Sequence, residues 1–168
     1  SFVPMRQYLG RSKRSLALDL KKPESKKIIK HLIESYDIIV EQFRPGVMDG
    51  FGIGYEQIKE SNPRLIYAIN SGFGPTGEWS DRGSFDHISQ GMSGAMISQG
   101  GGPGNVPMSV SWGLADQVGG MTLAYGVMTA LLARERFGMG VIALVAGARG
   151  SGSQRVQRRT KRSISTFS

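Results

Sequence analysis

The segment from Met108 to Ala133 constrains this chain most: a long apolar stretch that carries a single acid, Asp116. Val118, Met121, Leu123, Tyr125, Val127, Met128, Leu131 and Leu132 leave the helix they suggest with almost no polar face. Such a helix is stable only when covered, so it is expected to be long and buried, within a larger protein or its interface. Asp116 stands where the helix should begin. Two roles suit a carboxylate there: a helix cap, the plainer reading given the cap preference of Asp, or a reactive group kept ionised by the free amides and dipole of the helix end.

The chain's 168 residues fit one domain, by the usual span of roughly 100 to 200 residues. No cysteine is present, which excludes disulfides, thiolate metal sites and a cysteine nucleophile and suits a reducing compartment. No metal is expected. No run of about 18 unbroken apolar residues exists, so no membrane partner is expected. The start, Ser1-Phe-Val-Pro-Met-Arg6, lacks the layout of a signal peptide and reads as internal. With no targeting signal visible, the expected location is the cytoplasm or an organelle matrix. The net charge of +8 is uneven: residues 141–168 hold six bases and no acid, leaving a nearly neutral body. A nucleic acid is therefore not the expected partner, although the basic tail could hold a polyanion nonspecifically.

Alternation in the chain's order predicts an α/β fold with an open parallel sheet. Residues 1–15 read as an irregular basic lead-in and Leu16 to Leu20 as a strand, with apolar residues at alternate positions. Pro23 opens a helix carrying Ile28, Ile29, Leu32, Ile33 and Tyr36 at helical spacing. Asp37 to Val40 reads as a strand covered on both faces, followed by a turn at Arg44-Pro-Gly46. A short helix from Tyr55 to Ser61, halted by Asn62-Pro63, precedes a strand from Leu65 to Ile69. Parallel sheets of this kind bind ligands at the carboxyl ends of their strands, which marks Glu41 to Gly46 and Asn70 to Gly74 as the functional rim. Phe85 to Ile97 reads as one glycine-rich helix and Gly100 to Gly104 as a connector. Domain organisation is read as a partial large domain over 1–140 and a low-complexity, disordered basic tail over 141–168.

Five ordered segments carry a resemblance: Lys13 to Lys21, Glu41-Gln-Phe-Arg-Pro-Gly-Val-Met48, Asn62 to Tyr67, Ser71-Gly-Phe-Gly-Pro-Thr-Gly77 and Ala115-Asp-Gln-Val-Gly-Gly120. In these residues the chain resembles the class III CoA-transferases, the family of formyl-CoA, carnitine and bile-acid CoA-transferases and of the 2-methylacyl-CoA racemases. The resemblance implies a nucleotide-binding-type sheet in a large domain, a second smaller domain and an interlocked homodimer. It implies that Asp116 is the nucleophile of CoA transfer between an acyl-CoA donor and a carboxylic acid acceptor, through an aspartyl-CoA thioester. Coenzyme A enters as acyl-CoA substrate, and no permanently bound cofactor is implied. Lys13, Arg14, Gln42, Phe43 and Val47 match CoA-binding positions, and Phe85 and Asp86 match the substrate pocket.

Two departures stand out. Gly50 occupies a position where many members are basic, so a phosphate contact is expected to be missing, with Arg44 a candidate to replace it. Phe85 stands where the racemases have histidine, which favours transfer over racemisation because a phenyl ring moves no proton. His87, two residues on, would point about 200° away on a helix and is expected to take no part. Relative to the family the chain is expected to be a truncated, internal piece that loses its similarity after Gly140, as a shifted reading frame would produce. Little or no turnover is expected of it alone, and an inactive fragment with a polyanion-binding tail is the alternative of a different class.

Overall fold

The computed structural model describes residues 3–138, 140, 142–146 and 155–157. Strands β1 (Ile38–Glu41), β2 (Ile66–Ser71) and β3 (Ile142–Ala146) run parallel, and β4 (Arg155–Gln157) joins β3 antiparallel, in the order β1-β2-β3-β4. The helices are α1 (Val3–Gly10), α2 (Pro23–Ser35), α3 (Val47–Gly50), α4 (Tyr55–Ile58), α5 (Asp86–Met92), α6 (Ala95–Gln99) and α7 (Leu114–Phe137).

Strand β2 sets the layers. Ile66, Tyr67 and Ala68 are buried in succession, which requires cover on both faces because neighbouring side chains point to opposite sides. Ile66 and Ala68 pack with Leu123 and Ala130 of α7 and with Ala143 of β3. Tyr67 packs the other way, in a cluster with Ile33 of α2, Ile53, and Ile58 of α4. Helix α7 thus lies on one face, and α2 with the 47–58 segment on the other.

Local chemistry fixes the ends. Pro23 starts α2 with its locked φ and no amide to leave unpaired. Asn62 Nδ2 then donates to the carbonyls of Ile33 and Tyr36, at 3.0 and 2.9 Å, so the residue expected only to stop the next helix also closes α2. Arg134, buried near the end of α7, donates to Asp37 Oδ1 at 2.8 Å and to the Arg64 carbonyl at 3.4 Å. That side chain ties α7 to the starts of β1 and β2. Gly140 crosses so close to the carbonyls of Pro63 and Leu65 that a Cβ there would overlap them.

The fold class expected from the sequence is present, with differences in detail. Leu16 to Leu20 forms no strand: its alternation is strand-like, but no ladder partner meets it, and Leu16 stays exposed. The third parallel strand is β3 instead, whose apolar run Ile142 to Ala146 is that of a covered strand hidden within a stretch of tail-like composition. Within the stretch from 141 expected to be a disordered tail, residues 142–146 and 155–157 form β3 and β4, while 147–154 and 158–168 lie outside the described residues, as does their expected disorder. Helix α1 occupies part of the expected irregular lead-in. The single helix expected from Phe85 to Ile97 is broken into α5 and α6 by Gly94, which takes the left-handed conformation at φ 78°. Only one stripe of α7 is buried, namely Gly119, Leu123, Gly126, Ala130 and Arg134. Val118, Met121, Tyr125, Met128 and Leu132 are exposed, so within the described residues the helix has cover on its sheet side alone.

Candidate active site

A cleft of about 630 Å³ opens where β1 and β2 end, against the first turns of α7. Strand β1 leads into Gln42, Phe43, Arg44 and Pro45, and β2 supplies Asn70 and Ser71 before Gly72. Helix α5 brings Phe85, Asp86 and His87, and α7 brings Ala115, Asp116 and Gly119. This is the rim expected of a parallel sheet.

Each wall has a local cause. Glu41 Oε2 accepts the Phe43 amide at 2.7 Å, which tightens the loop presenting Gln42 and Phe43. Burial pushes the Glu41 carboxyl above its ordinary range, the Phe43 amide opposes this, and Asp49 adds to the rise. Gly72 passes so near Ser84 that a side chain would overlap it, which closes β2's exit against the 80–84 loop. Arg82 stacks on Trp79, with its guanidinium carbon 4.8 Å from the ring centre, and Trp79 meets Phe73 edge-on at 5.5 Å. The cleft therefore has cationic side chains, Arg44 and Arg82, along one part and the carboxyls of Asp86 and Asp116 at another.

Asp116 is not the cap of α7. Gly113 is, at φ 69°, and the Gln117 amide bonds the Gly113 carbonyl at 2.9 Å to begin the helix. Asp116 thus lies in the first turn as its third residue. The amides expected to support its carboxyl are engaged elsewhere: Asp86 Oδ1 accepts those of Ala115 and Asp116, at 2.7 and 3.2 Å. Partial desolvation pushes the Asp116 carboxyl above its ordinary range, the Asp86 carboxylate adds to the rise, and His87 opposes it. The helix end is thus not the means of keeping Asp116 ionised that the sequence suggested.

Of the residues singled out from the sequence, Gln42, Phe43, Phe85, Asp86 and Asp116 come together in this cleft. Phe43 and Phe85 are both exposed rather than packed in the core. Val47 opens α3 just beyond the Arg44-Pro-Gly46 turn and does not line the cleft, and neither do Lys13 and Arg14, which are exposed on the segment after α1. Lys13 bonds back to the Leu9 carbonyl. His87, expected to point away, lines the cleft instead. The helical angle did not apply because Phe85 is extended, at φ −130° and ψ 166°, and the helix begins only at Asp86. Arg82 and Gln90 were missed. The Asp86 and Gln90 spacing of i and i+4 was a readable signal for the second, whereas nothing local marked Arg82. Among the described residues no group of three or more His, Cys, Asp or Glu side chains could hold a metal ion. Nor is any described helix long and apolar enough to cross a membrane.

Fold and cleft together define an α/β protein with a carboxylate-bearing cleft at the strand ends, and similarity gives that class its family. The chain belongs to CoA-transferase family III, whose sequence pattern matches residues 4–152. That match runs through β3, so the similarity expected to end at Gly140 continues beyond it. The chain is 41% identical over 133 residues to acetyl-CoA:oxalate CoA-transferase of Acetobacter aceti, covering 79% of this chain and 34% of that protein. It is 34% identical over 134 residues to succinyl-CoA–D-citramalate CoA-transferase of Chloroflexus aurantiacus, covering 80% and 33%. A solved CaiB/BaiF family protein from Brucella suis superposes with a TM-score of 0.74 at 32% identity, covering 81% of this chain and 36% of the other. The chain spans about a third of the length of the curated relatives it matches.

Proposed function

We propose that the cleft is the nucleophile-bearing part of a CoA-transferase site and that Asp116 is its nucleophile. One observation carries this reading: the Asp116 carboxyl opens into the cleft and accepts no hydrogen bond from the described residues, while the nearest helix amides are held by Asp86. A carboxylate oxygen left free in this way can attack a carbonyl carbon. Attack on the donor thioester breaks its C–S bond and leaves a mixed anhydride on Asp116 with CoA thiolate released. The thiolate attacks the Asp116 acyl carbon, freeing the donor acid and forming the aspartyl-CoA thioester. The acceptor carboxylate displaces the thiolate again to form a second anhydride, and thiolate attack on the acceptor's acyl carbon yields the new acyl-CoA and regenerates Asp116.

Gln42 and Phe43 would contact the CoA arm, with Val47, Lys13 and Arg14 farther along it, and Arg44 and Arg82 give the cleft the cations that anionic substrates need. The names of the relatives point to dicarboxylic acids as the acceptor class. A homodimer is proposed for the protein as a whole. Incubation with succinyl-CoA and oxalate or glutarate tests the reading: slow formation of the new acyl-CoA is expected, abolished by Asp116→Ala. Equal transfer by that variant would contradict it.

The presence of His87 in the cleft favours one second reading, acid–base racemisation of a 2-methylacyl-CoA by Asp116 and His87. Deuterium incorporation at the α-carbon in D2O, without transfer, would select it.

A further inference from the structure

Helix α7 begins without a side-chain cap of its own. Trp112 and Gly113 both take positive φ, at 71° and 69°, and Gly113 has no side chain with which to cap the helix. A tryptophan in the left-handed region is strained, and Gln117 Nε2 of α7 donates to its carbonyl at 3.2 Å. Further contacts to the start of α7 come from α5. Asp86 Oδ1 accepts the Ala115 and Asp116 amides, at 2.7 and 3.2 Å, and its Oδ2 accepts Gln90 Nε2 at 2.6 Å. Gln90 is fully buried and also closes on the strand of chain leading to α7: its Nε2 donates to the Val110 carbonyl at 3.0 Å, and its Oε1 accepts the Val110 amide at 2.8 Å.

Asp86 therefore supplies, from 29 residues away, the capping carboxylate that α7 lacks. We infer that Asp86 is a positioning residue, capping α7 from α5 so that the Asp116 carboxyl stays directed into the cleft rather than turning back to its own helix amides. The inference rests on the reading of Asp116 as nucleophile, and it removes Asp86 from the substrate pocket to which the family resemblance assigned it. Both Asp86 oxygens are engaged and the residue is 8% exposed, which leaves little of it to touch a substrate.

The arrangement has an electrostatic side. Asp86 and His87 act on Asp116 in opposite senses, and Arg44 and Arg82 are the other charged groups lining the cleft. A second carboxylate at the helix end opposes ionisation of Asp116 while occupying the amides that would favour it. Its loss should make Asp116 more acidic on both counts.

Asp86→Asn and Asp86→Ala in the 168-residue chain separate these effects. Asn keeps an oxygen for the amides and removes the charge, whereas Ala removes both. Hydrogen exchange at the Ala115 and Asp116 amides is expected to quicken about tenfold in Asp86→Ala and to change little in Asp86→Asn. The Asp116 titration midpoint, read from its side-chain carboxyl carbon by NMR, is expected to fall in both variants. Unchanged amide exchange in Asp86→Ala would overturn the inference, as would an unmoved Asp116 midpoint in folded Asp86→Asn. Should Asp86→Ala not fold, the Asn variant carries the test alone. Neither readout needs transfer activity, so failure of this inference and failure of the nucleophile assignment are distinguishable.

Discussion

Asp116 lies in the first turn of α7 with its carboxyl partly desolvated and with Asp86 beside it, and both raise its pKa, in that order of size. The consequence for stability has a definite sign. The folded chain holds the Asp116 proton more tightly than the unfolded chain, so stability falls as pH rises from the ordinary value of 3.8 through the raised folded one. Above that window an ionised Asp116 costs stability, and Asp116→Asn removes the cost. Thermal unfolding of the Asn variant should show a higher Tm near pH 7, shrinking to no difference below pH 3.8. A variant less stable at neutral pH would contradict the assigned electrostatics. In the sequence, Asp116 was legible as a helix-start acid, but the origin of its environment was not. Asp86 caps α7 across 29 residues and no spacing rule reaches that far, whereas its clamp by Gln90 lies within one helical turn.

Helix α7 holds the cleft in place through its buried stripe of Gly119, Leu123, Gly126, Ala130 and Arg134. The small residues let the helix lie close to β2 and β3, and Ala130 has no exposed surface at all. Ala130→Leu should lower stability by about 1 to 3 kcal/mol, measured by urea unfolding, because a close-packed contact cannot absorb the added volume. Parallel strands β1 and β2 were readable from their continuous apolar runs, and α2 from its helical spacing and Pro23. Leu16 to Leu20 and Ile142 to Ala146 show where such reading stops. The first has the right period without a ladder partner, and the second gained one despite its setting in a basic, glycine-rich stretch. Pairing across the sheet decided both, and pairing is a tertiary property.

For the molecule as a whole, the exposed side of α7 is the largest consequence of the sequence pattern. Val118, Met121, Tyr125, Met128 and Leu132 recur at spacings of three and four, so they form one apolar stripe along the helix, away from the sheet. A stripe of that kind on an isolated chain drives association. Met121→Lys with Met128→Lys should shift the chain toward monomer in light scattering and leave the fold intact, since both side chains are exposed. Unaltered association would place the sticky surface elsewhere. The rim of the sheet was legible as a site because parallel strands dictate where ligands can enter. Its members from the 80–84 loop were not, since β2's exit at Gly72 brings that loop alongside through backbone packing.

The proposed nucleophilic role of Asp116 has a direct chemical test. Hydroxylamine converts an acyl-activated carboxyl to a hydroxamate, so incubation with succinyl-CoA and hydroxylamine, then peptide mass spectrometry, reads a single chemical event even where turnover is low. The hydroxamate is expected on Asp116 and should disappear in Asp116→Asn. A hydroxamate on another carboxyl, or none on Asp116 at saturating donor, would contradict the assignment.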